Sequence, residues 1–366
     1  MAKKVLAATL VEPKRMEVRE YDMPEIGPDE GLLKVERCGV CGSDVHGWES
    51  MRRGVRILGH ENLGYIAKIG RNAAQRWGVK EGDRVALEEY VPCGVCSICR
   101  SGDYRFCPQT DIGLGPDTLW YGSTSVSTQP ALWGGYSQYL YLHANAVVHK
   151  VPESVPADEA AFFLPFSNGF EWACNYGGAH LGKVVLVQGP GQQGLASVIA
   201  AKEVGAACIV VSGITKDKER LRVARELGAN YTVNVEEENL VERVMGITGG
   251  YGADVVVNVS GAEGTIAESM ALIALNGTIV LGGVGNQQIP TAAVGRKNLA
   301  IKWAHGHSYR SVEMAIQTIA SGKYPVGLVT THHFGLSQAD VAIKSVAGEG
   351  EPGAIHVSID PWAPLP

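Results

Sequence analysis

The chain has 366 residues, a length that accommodates two domains of ordinary size with real cores. Hydrophobic residues make up 45% and charged residues 19%, a globular balance that excludes a disordered chain. The net charge of −6, with no long basic run, argues against nucleic acid as a partner. At the amino terminus, MAKKVLAATLVEPKR has a short apolar run broken by Glu12 and Pro13. That is neither a secretory signal nor a membrane span, so a cytoplasmic protein without a membrane partner is expected.

Residues 1 to about 150 read as β-rich. Short runs such as LLKVERC, GYIAKIG, DRVALEEY and YSQYLYLH are separated by Gly, Pro and Asp turns, the pattern of a small barrel. Within this region Cys93, Cys96, Cys99 and Cys107 place four thiols within fifteen residues. Short C-x2-C turns aim sulfurs inward, and four thiolates satisfy a tetrahedral zinc with no open position, so a structural zinc is expected there. Cys38 and Cys41 form another C-x2-C, but the lobe already has a full set. Cys174 and Cys208 stand alone and read as small core residues. The segment 113–135 is longer than a hairpin needs and reads as a lid or an oligomer contact.

From about 155 the texture changes. KVVLVQG and CIVVSG read as buried strands, GLASVIAAKEVGA and KDKERLRVARELGA as helices. GADVVVNVSG, the helix-like TIAESMALIAL and GTIVLGGVG follow. This alternation predicts an α/β doubly wound parallel sheet over 156–303. Beyond 303, YRSVEMAIQTIASGKYP reads as a helix and GAIHVSID as a last strand.

Gly189-Pro190-Gly191-Gln192-Gln193-Gly194 follows a strand and opens a helix, as a dinucleotide fingerprint does. Gly189 permits the turn, Gly191 the approach of a pyrophosphate, Gly194 close helix packing, and the helix amino terminus with Gln192 and Gln193 meets the phosphates. The next strand ends in Ser212 and Gly213 with no acid for a ribose 2′-hydroxyl. With Lys216, Lys218 and Arg220 nearby, NADP is expected ahead of NAD, although Asp217 could also serve a ribose hydroxyl.

GVCGSDVHGW (39–48), GHENLGYI (59–66), the cysteine lobe and GPGQQG, in this order over essentially the whole chain, resemble the zinc-dependent medium-chain alcohol dehydrogenases, among them sorbitol and threonine dehydrogenases. The resemblance implies a GroES-like β-barrel catalytic domain (1–155 and 304–366) and a Rossmann domain (156–303). It implies hydride transfer between NAD(P) and an alcohol or carbonyl carbon, in a homodimer or homotetramer. Cys41 and His60 match catalytic zinc ligands. Glu61 matches an adjacent acid that binds the metal in some members, Ser43 the hydroxyl that takes the substrate proton, and His46 the end of the proton relay. Asn168 matches a polar residue beside the nicotinamide; a helix N-cap is its other reading. Leu164 falls where the family carries its third zinc ligand, and no ligand type lies between Glu159 and Glu171. Three outcomes stay open. Zinc is held by Cys41, His60 and Glu61; or the protein reduces an activated C=C, iminium or acyl-CoA without that zinc; or it is a non-catalytic NAD(P)-binding module. The C-terminal strand lacks the Lys or Arg that many relatives carry there, which implies modest cofactor affinity. Trp48, Met51, Trp120 and Phe166 are expected to line an apolar cleft suited to a hydrophobic alcohol or ketone.

Overall fold

The computed structural model of the chain describes residues 4–115, 117–283 and 287–365. The first three residues of the amino-terminal segment, Pro116 within 113–135, and the 284–285 end of GTIVLGGVG lie outside them. In chain order the strands are β1 (Lys4–Glu12), β2 (Arg15–Asp22), β3 (Gly31–Val40), β4 (Arg56–Ile57), β5 (Glu61–Ile69), β6 (Arg84–Leu87), β7 (Tyr139–Leu142) and β8 (Val148–Lys150). Then come β9 (Val184–Gln188), β10 (Cys208–Gly213), β11 (Tyr231–Asn234), β12 (Ala253–Asn258), β13 (Ile273–Leu281) and β14 (Ala300–Trp303), and finally β15 (Thr330–Gly335) and β16 (His356–Asp360). Contacts divide the chain into two compact units, residues up to Leu164 together with those from Thr330 onward, and Pro165–Val329.

In the first unit β3 is the organising strand. It pairs antiparallel with β5 along its length, with β7 through Gly31–Lys34 and with β16 through Cys38–Val40. The full order is β15-β16-β3-β5-β6-β8, beside a smaller sheet β2-β1-β4. Alternation sends Leu33 and Val35 into a core shared with Leu10, Val85, Val357 and Ile359, while Lys34 faces out. The carboxy-terminal strands thus complete the barrel. Segment 113–135 is not a free lid. Arg53 donates to the carbonyls of Gly115, Thr118 and Ser123, and Tyr121 and Trp133 are core residues.

In the second unit six parallel strands run β11-β10-β9-β12-β13-β14. The order reverses between β9 and β12, the switch point where ligands bind in open α/β sheets. Val185, Leu186 and Val187 are wholly buried, as a central parallel strand requires. Two readings shift. TIAESMALIAL is helical only through Leu272; Ile273 already pairs with Ala253 in the sheet. Contacts place the return to the first unit at Thr330 rather than 304, because helix Tyr309–Ala320 packs within the second unit. There Ser308 and Ser311 donate to the buried carboxylate of Glu171, in a π-helical stretch Phe170–Tyr176.

Candidate active site

Cys41 is the N-cap of the short helix Gly42–Trp48, and His60 stands just before β5, whose first residue is Glu61. Gly59 has a φ of +91°, a left-handed turn that re-aims the chain immediately before the strand. His60 therefore escapes the strand alternation that would send it away from Glu61. One ligand atom from each of Cys41, His60 and Glu61 lies within 4.8 Å of the others. Glu61 is fully buried, and its Oε1 has no hydrogen-bond partner among the described residues. A buried carboxylate oxygen in that state fits a cation. Leu164 is 2% exposed, near the start of helix Phe163–Gly169, and offers no ligand atom.

Asp44 was not singled out from the sequence, yet it fixes two of these three residues. Its carboxylate accepts from Cys41 N–H (3.0 Å), closing a capping box, and stands 3.3 Å from His60 Nδ1. Tyr136 O–H donates to it as well (3.1 Å). With Nδ1 held by a carboxylate, His60 presents Nε2 as the ligand nitrogen. Burial works against charging His60, but Asp44 and then Cys41 outweigh it and hold the imidazole well above its usual range. The signal available in the sequence was Asp44 three residues after Cys41 at a helix start. Ser43 Oγ lies 3.4 Å from His60 Nε2 and is exposed; His46, three residues on along the same helix face, is exposed too. Cys38 is buried in β3, where burial first, with Asp44 and Glu61, pushes its thiol far up; it stands outside the cluster. For Trp48 and Phe166, two of the four residues expected in an apolar cleft, the expectation is corrected. Trp48 is 2% exposed and donates its indole N–H to Asp340, and Phe166 is fully buried and stacked on Phe170. Met51 packs against the barrel core, and Trp120 stands edge-on to Tyr90.

In the cysteine lobe the recorded sulfur separations are 3.5 Å for Cys96–Cys99 and 3.9 Å for both Cys93–Cys99 and Cys96–Cys107. A zinc tetrahedron with bonds of about 2.3 Å has edges of roughly 3.8 Å. The four sulfurs therefore fit zinc. Backbone N–H groups of Cys96, Cys99 and Cys93 point at the sulfurs of Cys93, Cys96 and Cys107. Those of Val95 and Cys96 hold the Cys93 thiol down at about 6.

In the second unit the glycine loop joins β9 to helix Gln192–Glu203. Gly189 has φ +100°, and a Cβ there would strike Ser260. Gly191 faces open space, and a Cβ on Gly194 would collide with the Gly189 carbonyl. These features fit a pyrophosphate. A cavity of about 330 Å³ opens here, lined by Gly189, Gly191, Ser212, Gly213, Lys216 and Arg220 among others. Lys218 does not line it. Asp217 is engaged locally, accepting from Ile214 N–H and pairing with Arg220. Asn168 is not an N-cap. It lies inside helix Phe163–Gly169, with Oδ1 3.2 Å from His307 Nδ1.

The sequence model of the alcohol dehydrogenase GroES-like domain matches residues 27–153, and that of the zinc-binding dehydrogenases residues 194–321. The chain is 36% identical over 354 residues to a probable alcohol dehydrogenase of Mycobacterium tuberculosis, covering 94% of this chain and 95% of that one. It is 32% identical over 359 residues to the sorbitol dehydrogenase of Mus musculus, covering 95% and 94%. The crystal structure of an alcohol dehydrogenase from Thermotoga maritima superposes with a TM-score of 0.85 at 26% identity, covering 98% of this chain and 99% of that one. Among the described residues no helix is long and apolar enough to cross a membrane. With both halves matched and relatives aligned almost end to end, the chain belongs to the zinc-dependent medium-chain alcohol dehydrogenases, which pass a hydride between NAD(P) and an alcohol or carbonyl carbon.

Proposed function

We propose that this chain interconverts a secondary alcohol and its ketone with a catalytic zinc on Cys41, His60 and Glu61 and a structural zinc on Cys93, Cys96, Cys99 and Cys107. The observation that carries the reading is the convergence of ligand atoms of Cys41, His60 and Glu61 within 4.8 Å of one another, where Glu61 also keeps a buried oxygen with no hydrogen-bond partner among the described residues. Three protein ligands and an open position are the usual catalytic arrangement. When bound, the metal polarises the substrate oxygen and NAD(P) carries the hydride. The chain's own residues do the rest. Asp44 orients His60 and caps the helix that carries Cys41. Ser43 Oγ takes the hydroxyl proton and passes it toward His46, an exposed imidazole able to hand a proton to solvent. The enzyme works in the cytoplasm as a homodimer or homotetramer. Elemental analysis tests the metal reading. About two zinc ions per chain, with turnover of secondary alcohols, is the expected result. One zinc per chain would overturn it and leave the zinc-free reduction of an activated substrate.

NADP is the preferred cofactor in this reading. It is supported by the absence of an acid at the end of β10 and by Lys216 and Arg220 lining the cavity beside Ser212. Replacing Lys216 by glutamate sets a like charge against a 2′-phosphate. We expect kcat/KM with NADPH to fall about tenfold or more, about 1.4 kcal/mol, and with NADH to change far less. Equal losses with both cofactors, or a wild-type preference for NADH, would sink the assignment.

A further inference from the structure

We propose that His356 is the positioning residue of the catalytic metal centre. It grips one oxygen of Glu61 so that the other faces the metal, making Glu61 the ligand that Leu164 does not supply. The inference rests on the reading of Glu61 as a ligand.

Glu61 begins β5 and His356 begins β16, and β3 runs between them. Gly39 on β3 pairs with Glu61 on one side and with Ser358 on the other, so His356 lies diagonally across, on the same face. Side chains two strands apart stand roughly 10 Å from each other at their roots, and an intervening side chain normally separates them. Here the intervening residue has none. A Cβ on Gly39 would collide with the Glu61 carboxylate and fall 2.9 Å from His356 Nε2. Through that gap His356 Nε2 reaches to 3.3 Å from Glu61 Oε2.

The direction of the bond follows from the groups. A carboxylate has no hydrogen to give, so Nε2–H donates. The opposite ring nitrogen, Nδ1, has no partner among the described residues, so a proton there would be buried unpaired. Phe162 stands edge-on to the ring at 5.3 Å and limits its rotation. One Glu61 oxygen is thus tied down while Oε1 is left without a partner among the described residues at zero exposure. An outer-sphere donor of this kind fixes the orientation of a ligating carboxylate.

The test uses the full-length enzyme. The readouts are zinc affinity of the Cys41 site, by competition with a chelator, and the visible spectrum with cobalt in that site. For His356→Leu we expect metal affinity to weaken about 10- to 100-fold and the cobalt spectrum to shift. The lobe zinc should be retained, and His356→Gln, whose amide can donate, should recover most of the affinity. If His356→Leu does not fold, His356→Asn, too short to reach Oε2, takes its place with the same expectation. Unchanged affinity and spectrum overturn the proposal, and so does equal weakening in the Leu and Gln variants. Glu61→Gln separates the two readings. Weakening there but not in His356→Leu leaves the ligand and removes the positioning role; no weakening in either removes both.

Discussion

Replacing His60 with alanine is expected to leave one zinc per chain and to lower kcat/KM by about 10³-fold or more, with the lobe zinc retained. Losing one of three ligands empties the site. Metal polarisation of a carbonyl or alcohol is worth several kcal/mol of transition-state stabilisation, and each 1.4 kcal/mol is a factor of about ten. The fold should tolerate the change. Asp44 loses its contact to Nδ1 but still accepts from Cys41 N–H and Tyr136 O–H, so its buried carboxylate keeps two donors. Zinc content, steady-state kinetics and a thermal melt on one preparation check this. Two zinc ions and near-normal turnover in His60→Ala would refute the assignment of the site.

What could be read in the sequence was whatever chemistry demands of neighbouring residues. The glycine loop is legible because a turn, an open face and a close approach must fall at Gly189, Gly191 and Gly194. The lobe is legible because its four sulfurs come from one short stretch. What escaped depends on chain segments that meet only in the fold. His356 reaches Glu61 across 295 positions, through a gap that exists because β16 and β5 flank Gly39. Trp48 was read as a cleft residue because nothing near it shows that Asp340, in helix Ala339–Ala347, accepts its indole N–H. TIAESMALIAL kept its helical spacing past Leu272, where sheet pairing takes over; short apolar runs carry no signal that separates the two. Asp44 is the instructive miss. Its capping position was visible, but its second role needs His60 beside it, and only the barrel brings that about.

The second large effect belongs to the lobe. Changing Cys99 to alanine is expected to release the structural zinc and to raise the rate of proteolytic cleavage within 93–107 about 100-fold. The lobe has little else to hold it. Its helices, α-helical Ser97–Arg100 and 3-10 Tyr104–Phe106, are single turns, far too short to be stable alone. Val95 is 66% exposed and Phe106 38%, so two of the lobe's apolar side chains bury little surface. Its other tethers are few: Tyr104 O–H donates to Glu88 and its ring stands edge-on to Tyr90, and Val91 N–H donates to Thr110. Thiolates this close repel without a cation. Burial and the neighbouring Cys96 push Cys99 up to about 12, while Cys93 sits near 6. A metal resolves that conflict by ionising all four. Structural zinc sites are worth about 10–16 kcal/mol of binding, so even ~3 kcal/mol lost from lobe closure raises the open fraction about 100-fold. Cleavage follows that fraction when opening is fast. Limited proteolysis with zinc analysis decides it. A Cys99→Ala protein that keeps two zinc ions, or resists protease like its parent, would show that the lobe closes without metal. The zinc on Cys41, His60 and Glu61 should survive the change, because the two ligand groups share no residue.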